Sequence, residues 1–301
     1  FDIEKGKIFS NLRIGADVAG AKPLKANKGL AFMGMKLHGA GFILSPEDAE
    51  HFTTQRPNAK GTIVRPYLNG RDLAQSSRGF FAIDFYPLSE ERARSEYPEL
   101  LQRVLDTVKP ERDQNREPWR KQHWWWYGRT HEELRNSTAG LSNIIATTRT
   151  AKHRLFSLIP ANTIAESKIV VIALEAPEIH AVLSSRLHAT WSVAAGGMLG
   201  AGNDPTYNHT DCFNKFPFPD ASEAQKTVLR GLGEELDAHR KDRQAAHPKL
   251  TLTQMYNVLE KLRAGEPIEG KDKQIYDDGL IGLLADIHDR IDAAVAEAYG
   301  W

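Results

Sequence analysis

The chain has 301 residues, 41% of them hydrophobic and 26% charged, with 39 Lys+Arg balancing 39 Asp+Glu. These values exclude a disordered tail, a collagen-like fibre and a polybasic arm, and the length allows two domains with a sizeable core. The single cysteine, Cys212, excludes an intramolecular disulfide framework and any multi-cysteine zinc site, so a reducing, cytoplasmic setting is expected. No apolar run approaches the roughly 18 residues of a membrane span, and residues 1–20 lack a signal-peptide core. The chain begins at Phe1 rather than Met, and a piece of a longer protein is expected.

Residues 1–28 are polar and aperiodic and read as an arm or linker. Short β-prone runs follow at 30–35, 41–44, 63–67 and 80–85, separated by Gly, Pro and Asn. Ser45-Pro46-Glu47-Asp48 supplies a cap, a proline at the first helical position and acids in the first turn, which predicts a helix over 46–56. Ser89-Glu90-Glu91 opens another, and the apolar residues Leu100, Leu101, Val104, Leu105 and Val108 continue it to about 113. Three more strands are expected at 144–150, 154–159 and 168–174, the last nearly all apolar and therefore central. A helix over 178–195 ends in the glycine-rich 196–204, and 213–219, with two prolines, reads as a linker. From Ser222 the chain turns helical, over 222–245, 252–263 and 273–298. The layout is α+β followed by all-α.

Neutrality dissolves when the charge is split. Residues 221–301 hold 11 Lys+Arg against 15 Asp+Glu, a charge of −4, and residues 1–220 hold 28 against 24, or +4. Within the latter, 101–160 holds 11 against 6, or +5. A local surplus of this size is compatible with a phosphate-facing surface, although charge runs are usually solvated faces.

No complete catalytic set emerges from the residues. The stretch Gly196-Gly197-Met198-Leu199-Gly200-Ala201-Gly202 invites comparison with a nucleotide or S-adenosylmethionine loop, but such a loop needs a strand before it and a helix after it. Asp204-Pro205-Thr206-Tyr207 resembles the Asp/Asn-Pro-Pro-Tyr/Phe tetrapeptide of adenine-N6 methyltransferases, yet it lacks the second proline, and a turn is the simpler reading. A self-contained methyltransferase using 204–207 stays as one alternative, and a protein-interaction module of a defence complex as another. The histidines lack ligand spacing, so no metal is expected, and Cys212 reads as a small buried hydrophobe. Trp124-Trp125-Trp126-Tyr127 reads first as core or domain junction and second as a base-stacking platform.

Two segments suit DNA. Arg149-Thr150-Ala151-Lys152-His153-Arg154 clusters basic and titratable groups between two β-prone runs, a mix suited to phosphate contacts and to a bidentate guanine contact, or else a solvated strand end. The 200–207 loop pairs flexible glycines with Asn203 and Asp204, residue types that read adenine or cytosine edges, or else it is a helix-terminating turn.

Taken in order, a set of motifs becomes recognisable: Leu30 to Met35, Gly41 to Leu44, Arg65-Pro66-Tyr67-Leu68-Asn69-Gly70-Arg71-Asp72-Leu73, Ile83-Asp84-Phe85, the tryptophan pair, Lys152-His153-Arg154, Ser185-Arg186-Leu187-His188 with Trp191, Leu199 to Pro205, and Phe213-Asn214-Lys215-Phe216-Pro217-Phe218-Pro219. This order resembles the post-catalytic part of the MmeI-like (type IIL) restriction-modification enzymes, in which one polypeptide joins a nuclease, a helical spacer, an adenine-N6 methyltransferase, a target recognition domain and a helical C-terminal domain. The tail from Leu252 to Trp301 is similar to that family's C-terminus, which implies a natural end at Trp301.

The resemblance implies a linker from an upstream methyltransferase domain at 1–25, a mixed-sheet DNA target recognition domain with packed helices at 26–219, and an all-α C-terminal domain at 220–301. It implies double-stranded DNA as partner and no cofactor in this fragment, with S-adenosylmethionine bound by the full-length enzyme upstream. Arg149, Lys152, His153 and Arg154 are the expected phosphate or guanine contacts. Gly200, Gly202, Asn203 and Asp204 are the expected base readers, with a second reading position at Asn162 and Thr163. Many relatives carry a charged pair in the loop where this chain has Gly200 and Gly202.

Overall fold

The computed structural model describes residues 18, 20–199 and 204–301. Their order begins with β1 (Ala31–Met33), β2 (Ile43–Leu44), α1 (Pro46–Gln55), β3 (Val64–Leu68), α2 (Gly70–Ala74) and β4 (Phe81–Ile83). The side chain of Ser45 accepts the Asp48 N–H, the cap that the sequence pattern predicts. Asn69 and Asp72 form a reciprocal capping box that starts α2, a short helix without apolar periodicity and absent from the sequence reading.

The helix expected to run through 113 is three helices, α3 (Glu90–Glu96), α4 (Pro98–Thr107) and α5 (Lys109–Asp113). Pro98 and Pro110 each fall in the first turn of a new helix, where a missing N–H costs nothing, and each ends the one before it. After α6 (Pro118–Gln122) and α7 (Glu132–Thr138) come β5 (Asn143–Thr148), β6 (Ser157–Pro160), β7 (Ile164–Ala165) and β8 (Ile169–Ile172). The single helix expected over 178–195 is α8 (Pro177–Ser184) and α9 (Arg186–Ala195), because Ser185 leaves helical geometry to cap α9 through His188 N.

The expected glycine-rich turn is a hairpin, β9 (Gly197–Leu199) and β10 (Asp204–Thr206). The C-terminal helices are α10 (Glu223–Ala246), α11 (Leu252–Ala264), α12 (Gly270–Gly279) and α13 (Ile281–Ala298); Leu280, in the left-handed region at φ 45°, divides the last two.

Two four-stranded sheets form the α+β part. One has the order β1-β8-β5-β6 and is antiparallel throughout; the other, β2-β4-β3-β7, pairs β3 with β7 in parallel and the rest antiparallel. All four residues of β8 are buried, as a nearly continuous apolar run in an inner strand requires. A single apolar cluster joins Leu155, Ala181, Val182 and Phe216 to Leu229, Leu236, Met255, Ile287 and Ile291, so α8 and the segments beside it share core with the C-terminal helices. Gly233 of α10 makes this approach possible: a Cβ there would lie 2.1 Å from Pro177 O. Phe213 closes a helical turn over His209–Phe213, and 214–219 is irregular, as two prolines dictate, but packed. Phe213 and Phe216 are buried, and their carbonyls accept both amide hydrogens of buried Asn27 at 2.9 and 2.8 Å.

Candidate nucleic-acid interface

Between Arg149 and Tyr207, β9 and β10 pair as a largely exposed hairpin with a cleft at its root. At the end of α9, Gly196 N donates to Ser192 O, and a Cβ on Gly196 would meet Thr206 O at 2.3 Å; only glycine lets the helix end lie against β10. Thr150 bridges to Thr206, and Tyr207 N donates to Arg149 O at 2.6 Å, so the hairpin continues the edge where β5 ends. Asp204, Met198 and Leu199 are exposed on it. Gly200, Gly202 and Asn203 lie outside the described residues.

Arg154 is a brace for this hairpin. Its guanidinium donates to Thr147 Oγ1 at 3.1 Å, to Thr148 O and to Pro205 O at 3.1 Å, and it lies over the Tyr207 ring at 5.0 Å. Burial lowers its pKa to about 10, which leaves it charged at neutral pH. The expectation of a phosphate or guanine contact at Arg154 gives way to this structural role, since its donors are engaged at both ends of the hairpin root.

Tyr207 is buried, 3.0 Å from His188 Nε2 through its hydroxyl and edge-on to Phe156. Burial and then the Arg154 charge push His188 down to about 3, so it is neutral. The ring at Tyr207 is therefore enclosed and the Pro205 carbonyl is occupied, which removes 204–207 as a base-gripping tetrapeptide.

Lys152 and His153 point to the C-terminal helices. Lys152 Nζ lies 2.7 Å from Glu260 Oε2 and 3.0 Å from Asn257 Oδ1, and His153 Nε2 lies 2.8 Å from the same Asn257 oxygen. These contacts tie the β5–β6 connection to α11. The Lys152 pair is exposed on both sides, the kind of surface ion pair that contributes about 0–1 kcal/mol.

Arg149 stands apart. It is exposed and has no ion-pair partner among the described residues, and it lines a cleft of about 810 Å³ with Arg71, Thr148, Thr150, Lys168, Leu199 and Thr206. Arg149 N donates to Lys168 O while Arg149 O accepts from Tyr207 N, so Arg149 is the floor, with Lys168 on one side and the hairpin on the other. Neither Arg71 nor Lys168 came out of the sequence reading as a site residue. Arg71 was visible only as part of the 65–73 motif, and Lys168 only as the start of a strand; their common signal is a basic residue at an element end beside a turn.

Asn162 and Thr163 do not join this cleft. They precede β7, whereas Glu166 and Lys168 follow it, and four residues of extended chain separate the two ends by about 13 Å. Asn162 is exposed and its carbonyl accepts from Arg65 Nε at 2.8 Å; Thr163 is buried. They line a separate cavity of about 310 Å³ over Arg65 and Arg135, both held by buried Asp84 at 3.0 and 2.7 Å.

The aromatic run is core rather than platform. Trp124 and Trp125 are buried, and Trp125 and Trp126 both donate to Leu88 O at 2.9 Å. Cys212 is buried as expected, and burial raises its thiol pKa. Among the described residues no group of three or more His, Cys, Asp or Glu is placed to hold a metal ion, and no helix is long and apolar enough to cross a membrane.

The family model described as "MmeI, target recognition domain" matches residues 18–220. No curated protein matches the chain. The fold is similar to the solved structure of the type IIL restriction-modification enzyme MmeI in complex with DNA, with a TM-score of 0.70 and 17% identity. That alignment covers 96% of this chain and 35% of the other, so the chain spans about a third of that enzyme's length.

Proposed function

Since the chain belongs to the MmeI target recognition domain family, we propose that it is the sequence-specific double-stranded DNA recognition module of a longer restriction-modification adenine-N6 DNA methyltransferase. In this reading the catalytic domains lie upstream in the same cytoplasmic polypeptide. Residues 26–219 select the site and residues 220–301 brace the recognition part through the shared core.

The observation that carries the proposal is Arg149, an arginine with no ion-pair partner among the described residues, at the root of an exposed hairpin and on the floor of a basic cleft. A planar guanidinium without a partner among the described residues suits a phosphate or a guanine edge, and Asp204 on the hairpin suits a cytosine amino group. Residues 200–203 remain the proposed readers of further bases. Asn162, beside the separate Arg65 cavity, is proposed as a second reading position, whereas Lys152, His153 and Arg154 serve as braces. Thr163, being buried, acts by holding its turn.

S-adenosylmethionine does not fit these residues. The glycine-rich stretch follows a helix and enters a hairpin, whereas such a cofactor loop follows a strand and opens a helix. The proposal therefore places the cofactor in the upstream methyltransferase domain. Replacing 200–204 in the full-length enzyme with the corresponding loop of a relative, followed by methylome sequencing of the host, tests the reading. The methylated motif changes if the loop selects bases, and an unchanged motif overturns it.

A further inference from the structure

We infer that the cleft wall formed by Arg71 and Lys168 grips the phosphodiester backbone of the same duplex whose bases the hairpin faces, an inference that rests on the reading above. Two strand spacings carry it geometrically. Lys168 lies one strand from Arg149 through the Arg149 N to Lys168 O bond, and Thr206 lies one strand to the other side through its bridge to Thr150. At about 4.8 Å per spacing the wall stands about 10 Å from the hairpin. A major groove is about 12 Å wide, so an element occupying the groove places this wall against the phosphate ridge that borders it.

The charge arrangement points the same way. Arg71, Arg149 and Lys168 share the cleft, and none has an ion-pair partner among the described residues. The one carboxylate in the lining, Glu166, is turned to its own loop, its oxygens accepting from Ser167 Oγ at 2.7 Å and Lys168 N at 3.0 Å. Asp72, next to Arg71 in sequence, is likewise committed. It accepts from Asn69 N at 3.1 Å and holds Arg78 through both oxygens, at 2.7 and 3.1 Å. The acids beside Arg71 and Lys168 are thus committed to other groups, and neither forms an ion pair with a cation of the cleft.

Arg71 is also aimed. The Asn69–Asp72 capping box fixes its backbone, and its Nε donates to Gln75 Oε1 at 3.0 Å, which leaves the terminal nitrogens for an outside acceptor. Lys168 adds an exposed point charge, the form in which lysine serves phosphate.

The experiment measures duplex affinity against salt for the full-length protein, on its own site and on a scrambled duplex. Arg71→Ala and Lys168→Ala are each expected to lower the salt slope by about one unit, equally on both duplexes, and the double variant by about two. Lys168→Arg should retain the slope, which separates lost charge from lost folding. Lys271→Ala, removing an exposed lysine of α12 that has no ion-pair partner among the described residues, should leave the slope at its wild-type value. A wild-type slope in the double variant overturns the inference while leaving the proposed function intact. Altered site preference at constant slope overturns it as well, because the wall would then read bases. Failure of the wild-type protein to bind duplex DNA, with RNA or an acidic protein bound instead, overturns both.

Discussion

The C-terminal helices and the hairpin cleft both carry many cations, but they spend them differently. Of the 11 Lys+Arg in residues 221–301, Lys226, Arg230, Lys241, Lys261, Arg263, Lys273 and Arg290 lie in ion pairs. Arg240 donates to Tyr256 and Phe156 O, and Arg243 to Asp278 O. Arg71, Arg149 and Lys168 have no such charge partner among the described residues. The contrast teaches that the pairing of charges, more than their net sum, decides which cations a surface leaves available. The −4 of the helical part and the +4 of the remainder differ modestly; the availability of the cations differs far more.

The sharpest way to break this comparison is to break the seam between the two regions. Gly233→Ala sets a Cβ against Pro177 O, and overpacking of this kind is expected to cost about 3 kcal/mol. Because α8 and α10 share one core, thermal unfolding followed by tryptophan fluorescence and by far-UV dichroism should fall together. A shift confined to one signal would show that the regions are independent.

Acid should weaken both sides of the seam. Burial and neighbouring cations hold His188 down at about 3 and His131 at about 4, and His180 and His288 are also lowered. An imidazole whose folded pKa lies below its unfolded value of about 6.5 contributes stability that is fully present above 6.5 and lost as pH falls toward the folded pKa. At pH 5 the loss is about 2 kcal/mol for His188, whose folded pKa of about 3 lies well below that pH. A denaturant midpoint that stays constant between pH 7 and pH 5 would contradict this protonation state.

Arg154 and Arg149, five residues apart, should then separate stability from binding. Arg154→Ala strands Pro205 O and Thr148 O and is expected to cost about 2–3 kcal/mol. Arg149→Ala should leave stability within about 0.5 kcal/mol while lowering the affinity for DNA. Equal effects of the two on the melting temperature would erase the distinction between brace and contact. The smallest effect belongs to Lys152→Ala, less than about 1 kcal/mol with no change in the DNA salt slope, because Glu260 rather than phosphate faces its ammonium. A slope lowered by about one unit would restore Lys152 to the phosphate contacts.

Much of the framework was legible because it rests on local chemistry. Ser45-Pro46 at the start of α1, Ser222 at the start of α10 and Thr251 at the start of α11 announce themselves through caps. The apolar run at Ile169–Ile172 announces an inner strand. The breaks at Ser185 and Leu280 were not legible, since apolar periodicity continues across both while the backbone leaves the helix. The hairpin at 197–206 was hidden because its partners are extended and largely exposed, without the alternation that marks a half-buried strand. Among the site residues, Arg149 was accessible to sequence reasoning by residue type alone. Arg154 and Lys152, of the same type and within five positions, could not be told from it, because what distinguishes them is Pro205 O and Glu260, 51 and 108 positions away in the chain.

By itself the sequence determined the class of the molecule: mixed strands and helices, then helices, with basic and amide residues suited to DNA and no catalytic set. Composition, caps, proline positions and motif order are local properties and are readable in one dimension. Only the tertiary structure decided which cations are free. A salt bridge is a property of two residues and the space between them, and the fold turned Glu260 onto Lys152 and Asp72 onto Arg78 while, among the described residues, no acid forms an ion pair with Arg71, Arg149 or Lys168.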